Sequence, residues 1–300
     1  MGARRVQSSI TMQHIPTTKK IEEEGQIYFE VYTSNGLARS ISSPAPLRSA
    51  YADLPAEESF SSQKFVSLRI LYSISRNQNS HVFLGRSIST GKLLVVKMIS
   101  TRTRENQAQV KNETNLLPGL LHRNIIRYFG HDHFLRTATI YLEYFKSVEL
   151  FSLLQQNRIL PVGLALHIFR ELADALSYMH ERRICHLDIK PENILINSRL
   201  QIKLIDFGMS QRALKNGLVE AYGGSVNYAS PEAVEGGVYN GFLADSWSCG
   251  VVLFLMVNGS FPVSSASPSL PHVPREILRI LERLLRISPN ERSPIQELEL

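Results

Sequence analysis

The sequence predicts a two-lobed α+β protein, with a small β-rich lobe followed by a larger and mainly helical one. Three observations carry that prediction. Short apolar and β-branched runs separated by polar turns crowd residues 65–144, which is how a sheet reads. Longer segments with apolar residues at helical spacing fill residues 145–300, and strands followed by helices give α+β rather than an alternating architecture. Three hundred residues with 43% apolar content also suffice for one large or two ordinary domains.

Taken in order, residues 65–73, 81–85 and 92–100 read as three strands. Residues 105–117 have helical spacing and stop at Pro118-Gly119, where proline and glycine break helices. Residues 125–128 and 138–144 read as two more strands, completing a first lobe of about 65–144. In the second lobe, residues 166–181 set Phe169, Leu172, Leu176 and Met179 on one helical face. Residues 244–257 are nearly all apolar and predict a buried helix, whereas 275–286 are amphipathic through Ile277, Leu281, Leu284 and Leu285.

Residues 1–64 differ. Serine, threonine, proline and charge dominate them, and such a tail cannot bury enough apolar surface to offset the cost of ordering, so it reads as mostly disordered. Gln26–Thr33 is the exception, a strand-like run with no evident partner.

Two cysteines, Cys185 and Cys249, are too few for a disulfide framework. No apolar run approaches the ~20 residues of a membrane helix, the N-terminal charge has no apolar segment behind it, and Val6 stands where a myristoylation signal needs Ser or Thr. A cytoplasmic or nuclear site is expected, without membrane association. The net charge of +6 would permit nucleic-acid or acidic-lipid contacts, but no dense Lys/Arg block concentrates it, so a solvated basic surface is the expectation.

The chemistry lies in His186 to Asn193, H-L-D-I-K-P-E-N, and in Asp206 to Gly208, D-F-G. Asp188, Lys190 and Asn193 stand at spacings of two and five, with Asp206 eighteen residues beyond Asp188. Phosphoryl transfer needs such a set: a carboxylate for a hydroxyl, a cation near the moving phosphate, and oxygen ligands for Mg²⁺. Upstream, Lys97 ends the apolar run L-L-V-V-K, and Glu113 lies nine residues before His122.

With these motifs the chain resembles a eukaryotic-type protein kinase of the Ser/Thr class over roughly residues 66–300. The resemblance implies a bilobal kinase fold, ATP and Mg²⁺, and a protein substrate with a Ser or Thr acceptor. It assigns Asp188 to the substrate hydroxyl, Lys190 to the γ-phosphate, and the Lys97–Glu113 pair to the α- and β-phosphates. Asn193 and Asp206 would hold the metal. Val82, Val95 and Leu195 would enclose adenine, and the hinge Glu143-Tyr144-Phe145 would bind it through backbone, with Leu142 as gatekeeper. Glu149 is placed to reach the ribose or to lie in solvent. Ser225 takes the activation-segment threonine's place, Glu232 is implied to pair with Arg292, and Asp245 to bind catalytic-loop amides.

The departures from the family pattern are specific. Ser75, Asn77 and Ser80 occupy the three glycine positions of the phosphate-covering loop, where backbone approach and φ angles favour glycine. Val95 replaces the usual alanine above adenine. Leu187 replaces the arginine that receives an activation-loop phosphate, and only Ser210 and Tyr222 offer hydroxyls between Gly208 and Gly223. The proline- and serine-rich linker between Pro262 and Glu276 cannot supply the helix usual there, and the last helix is expected to be short. Two further readings stand beside the active kinase. One is a pseudokinase serving as scaffold or allosteric partner. The other is a basic module binding nucleic acid or lipid through the tail.

Overall fold

The computed structural model describes residues 68–88, 90–221, 224–262 and 273–298, together with the backbone of three strands nearer the N-terminus. The chain divides into two compact units, residues 1–54 and 55–300.

In the first unit, β1 (Lys19–Glu23), β2 (Gln26–Thr33) and β3 (Gly36–Ser42) form an antiparallel sheet with β2 central. Gln26–Thr33 thus has the partners that the sequence left unidentified. The pairings Glu23↔Gln26 and Thr33↔Gly36 leave two residues for each connection. Both gaps hold a turn former, Gly25 and Asn35. The flanking runs K-K-I-E-E and G-L-A-R-S-I-S carry few β-branched residues, so composition concealed them. The rest of the expected tail lies outside the described residues.

In the second unit, β4 (Leu68–Arg76), β5 (Ser80–Ser87), β6 (Leu93–Ser100), β7 (Tyr128–Phe134) and β8 (Thr137–Glu143) form one sheet in the order β4-β5-β6-β8-β7. Helix α1 (Arg104–Leu116) follows β6, capped by Thr103, whose hydroxyl accepts from the Asn106 N–H. Residues 125–128 do not form the expected strand. Ile125 and Ile126 are buried, Ile125 makes one isolated parallel bridge to Leu204, and β7 starts only at Tyr128. Their apolar side chains serve the core instead.

The larger lobe starts with β9 (Val148–Glu149), α2 (Leu150–Asn157) and α3 (Val162–Glu181). Then come β10 (Ile184–Cys185), β11 (Ile194–Ile196), β12 (Ile202–Leu204), β13 (Gln211–Arg212) and β14 (Leu218–Ala221). Helix α4 (Pro231–Glu235), β15 (Gly237–Asn240), α5 (Gly241–Asn258) and α6 (Arg275–Leu284) complete it, with a final 3₁₀ turn at Ile295–Glu297. The expected stripe of α3, Phe169, Leu172, Leu176 and Met179, is fully buried in one core with Val252, Met256, Leu281 and Leu284. By length and composition α5 could cross a membrane, but it is the buried central helix of this core. At Gly250 a Cβ would lie 2.9 Å from that of Leu284, so glycine permits the close approach of α5 to α6. The expectation about the linker falls on residues outside those described.

Candidate active site

Lys97 sits in β6, between Val82 of β5 and Ile140 of β8, so two hydrogen-bonded neighbours fix its backbone. Its ammonium donates to both Glu113 oxygens of α1, at 2.8 and 3.1 Å, and to Asp206 Oδ1 at 3.1 Å. Glu113 is buried, whereas the Asp206 side chain is 48% exposed, so the charged cluster opens to solvent on the Asp206 side. Burial alone would lower the Lys97 pKa, but the two carboxylates outweigh it and hold the ammonium above its ordinary range. Lys97, with the hydrogen bonds it donates, in turn holds Asp206 below the usual carboxylate range against its own desolvation.

A second cluster forms around Asp188. Its Oδ2 accepts from Lys190 Nζ at 2.7 Å and from Asn193 Nδ2 at 2.9 Å, and its Oδ1 accepts from the Ser225 hydroxyl at 2.9 Å. Lys190 also donates to Ser225 Oγ at 2.8 Å. The segment between the clusters is fixed in place. The Ile205 N–H donates to the Asn193 carbonyl (2.9 Å), and His186 Nε2 donates to the Ile205 carbonyl (3.1 Å). His186 Nδ1 accepts from the Asp188 N–H, a neutral tautomer that fits the downward push of burial on its pKa.

Two residues here hold the left-handed backbone that side chains oppose, Leu187 at φ 63° and Asp206 at φ 62°. Such positions cost about 1–3 kcal/mol and persist only where surroundings impose them. For Leu187 the cause is visible. Buried Asp245 accepts from the His186 and Leu187 N–H groups, each at 2.8 Å, and from His180 Nε2 at 2.9 Å.

Metal chemistry can be tested against the donor set. Asn193 donates its amide hydrogens to the Asp188 carbonyl and carboxylate, which leaves its Oδ1 without a protein partner. Asp206 Oδ1 faces Lys97 and the Gly208 N–H, and Oδ2 has none. Among the described residues no three His, Cys, Asp or Glu side chains could hold a metal by themselves. Two hard oxygens suit Mg²⁺, which takes one or two protein ligands and completes its shell with phosphate and water. The residues fit that ion.

Around the position expected for adenine the placements are mixed. Val82 and Val95 are half-buried in β5 and β6, Val95 paired with Leu142. Leu195 lies opposite Glu149 in the β9–β11 pair. The Glu143 carboxylate is bound by Lys203 at 3.0 Å and by the Arg127 N–H at 3.1 Å, so it braces the segment expected to form the hinge. The Phe145 ring is half-buried with Lys203 Nζ 5.7 Å from its centroid. Glu149 is exposed, and partial burial and the nearby Glu192 raise its pKa.

The hairpin tip accommodates the glycine replacements without backbone strain. None of Ser75, Asn77 and Ser80 has positive φ. Instead Asn77 Oδ1 accepts from the Asn79 N–H, the Ser80 N–H and the Ser80 hydroxyl, at 2.9, 2.7 and 3.1 Å. An Asx turn does locally what glycine does by conformational freedom.

Sequence reasoning missed three supports. Lys203 carried no signal at all. Asn112 of α1, which donates to the Gly208 carbonyl at 3.0 Å, could have been found from its place beside Glu113. The third is an apolar cluster of Cys185, Ala213, Val219, Ala221 and Tyr239 against which Leu187 packs. The expected Glu232–Arg292 pair is present, with Nη2–Oε2 at 3.0 Å and Arg292 also donating to three backbone carbonyls.

This geometry agrees with sequence similarity. Residues 71–299 match the protein kinase domain. The chain belongs to the protein kinase family. It is 31% identical over 243 residues to a probable serine/threonine-protein kinase of Dictyostelium discoideum, covering 75% of this chain and 29% of that one. It is 31% identical over 245 residues to the probable serine/threonine-protein kinase KCC4 of Saccharomyces cerevisiae (72% and 24%). To the SNF1-related protein kinase catalytic subunit alpha KIN12 of Arabidopsis thaliana it is 29% identical over 248 residues (77% and 50%). The matched part of the chain thus spans half or less of each of these relatives.

Proposed function

We propose that this kinase-family chain is catalytically active and transfers the ATP γ-phosphate to Ser or Thr hydroxyls of proteins. The observation that carries the reading is the Lys97 ammonium seated between Glu113 and Asp206, a charged cluster open on one side. A buried ion pair adds little stability over an apolar replacement; a polyphosphate site explains why this one is kept.

Asp188 Oδ1, which accepts from Ser225, is the base that orients the incoming hydroxyl and takes its proton. The hydroxyl oxygen bonds to the γ-phosphorus as the bond to the β–γ bridging oxygen breaks, and ADP leaves with that electron pair. Lys190, at 2.7 Å from Asp188, offsets charge on the transferring group. Asn193 and Asp206 would hold Mg²⁺, which when bound supplies positive charge to the phosphate oxygens. Lys97 orients the α- and β-phosphates, and Glu113 holds Lys97 in place.

A scaffold without transfer is the second reading, favoured by Ser75, Asn77, Ser80 and Val95. A thermal-shift titration with ATP and Mg²⁺ separates the two, since a hundredfold excess over Kd stabilises a binder by ~2.7 kcal/mol. No shift at millimolar nucleotide would support the scaffold. The deciding assay is transfer of radiolabelled phosphate to a generic protein, expected with the native chain and absent in Lys97→Met of unchanged fold.

A further inference from the structure

Asp206 holds its left-handed backbone between two anchored ends. On the N-terminal side Ile205 is pinned within the larger lobe, its N–H to the Asn193 carbonyl and its own carbonyl to His186 Nε2. On the C-terminal side Phe207 is fully buried, with its ring 5.0 Å from that of His186. The next residue, Gly208, is held from the small lobe. Its carbonyl accepts from Asn112 Nδ2 of α1 at 3.0 Å.

Gly208 is buried and does not itself hold a left-handed backbone, so its lack of a side chain serves space rather than conformation. A Cβ there would stand 3.3 Å from Asp206 Oδ1 and 3.4 Å from both Cβ and Cγ of Gln109. Gln109, Asn112 and Glu113 stand at i, i+3 and i+4, and so share the side of α1 that meets the site. The Gly208 N–H donates to Asp206 Oδ1 at a long 3.4 Å. Helix α1 therefore reaches the Asp206 carboxylate by two routes. One runs from Glu113 through the Lys97 ammonium, the other from Asn112 through Gly208. They differ in kind. Lys97 occupies Oδ1 as a cation, whereas Asn112 fixes the backbone without touching the carboxylate.

We infer that Asn112 is a positioning residue for the metal-binding carboxylate: by holding the Gly208 carbonyl it keeps Asp206 in its strained backbone, and so sets the affinity for Mg²⁺ by a route independent of Lys97. Without that donor the carbonyl of a buried residue loses this partner, and the turn is free to relax toward an ordinary φ. The inference deepens the kinase reading and rests on it for the nucleotide, but not for the turn.

The test compares Asn112→Leu, a good helix former without a donor, with Asn112→Gln, which restores a side-chain amide. Binding of Mn²⁺, which shares the oxygen-ligand preference of Mg²⁺, is titrated by electron paramagnetic resonance with a non-hydrolysable ATP analogue present. Amide exchange over residues 206–210 is followed without nucleotide. Asn112→Leu is expected to weaken Mn²⁺ binding about fivefold, as the loss of one hydrogen bond implies. It should also speed exchange at Gly208 and Ser210, whose N–H groups bond within the turn. Asn112→Gln should recover most of both effects. The faster exchange should recur in a Lys97→Met background, since the second route bypasses the ammonium. The inference is overturned if Asn112→Leu binds Mn²⁺ as tightly as the native chain, if Asn112→Gln is as weak as Asn112→Leu, or if exchange in the turn is unchanged. A native chain that binds no analogue would contradict the nucleotide reading instead, and the exchange readout would still decide whether Asn112 holds the turn.

Discussion

From His186 to Asp206, polar side chains reach across to other segments. Asp245 holds residues fifty-eight and fifty-nine positions earlier in the chain, Lys97 meets Asp206 across 109, and Ser225 meets Asp188 across 37. At the tip of the β4–β5 hairpin, by contrast, Asn77 bonds only to residues two and three positions away. The two regions share one task in the family, gripping and moving a phosphate, yet the first fills every polar catalytic position and departs only at Leu187, whereas the second holds none of the three glycines. Convergent geometry has no local substitute, because each partner is fixed by several others. A turn needs only the right φ and a satisfied amide, which serine and asparagine can supply.

The largest break of this contrast is at Asp188. Asp188→Asn keeps the shape but loses the base, and transfer should fall about 10³-fold in a radiolabel assay while circular dichroism stays native. Full activity in that variant would remove Asp188 from the proposed role.

Next comes the support of the long-range network. Arg292→Met leaves the half-buried Glu232 without its cation and should cost ~3 kcal/mol in urea unfolding at neutral pH. Burial alone would lift the Glu232 carboxyl, but Arg292 holds it below its ordinary 4.5. A depressed folded-state pKa gives stability that is complete above the unfolded value and lost as pH falls through the folded one. The gap between native and variant should therefore narrow below about pH 4.5, and a gap independent of pH would mean that the pair is not its source.

These effects also measure how much was legible beforehand. The stripe from Phe169 to Met179 and the apolar run of α5 announced their helices, because a buried face imposes a period that composition alone can show. Lys97, Glu113, Asp188, Lys190, Asn193 and Asp206 could be singled out because phosphate chemistry restricts the residue types. Ile125 and Ile126 misled, since two adjacent isoleucines suit a strand and a core equally, and only tertiary contact with Leu204 decides. Lys203 was invisible for a related reason. A lysine after an apolar residue says nothing until the fold brings Glu143 within 3.0 Å. The strands at Lys19–Glu23 and Gly36–Ser42 were hidden because their pairing rests on the central strand rather than on their own side chains.

The contrast sharpens at the hairpin. Restoring glycine at positions 75, 77 and 80 together should lower KM for ATP, on the order of tenfold, with little change in kcat, because backbone can then approach the phosphates. Asn77→Gly alone removes the acceptor of three hydrogen bonds at an exposed turn and should cost about 1 kcal/mol of stability, read as a small fall in Tm. An unchanged KM in the triple variant would mean the Asx turn is already as good as glycine.

The smallest effect expected is none at all, and it concerns Leu187. Where an arginine would hold a phosphate, this leucine packs against Cys185, Ala213, Val219, Ala221 and Tyr239. The β14–β15 pairing, from Leu218↔Asn240 to Ala221↔Gly237, secures the same stretch through backbone. Ser210 is fully buried and donates to the His186 carbonyl, so a kinase could not reach it without unfolding the segment. Apolar packing thus takes over from charge pairing, and it needs no modification to act. Treatment with a broad-specificity phosphatase should leave transfer within about twofold of its starting rate, since no charge-assisted contact is lost. Activity lost on treatment, with mass spectrometry locating the removed phosphate between Gly208 and Gly223, would show that the apolar cluster does not hold the segment unaided.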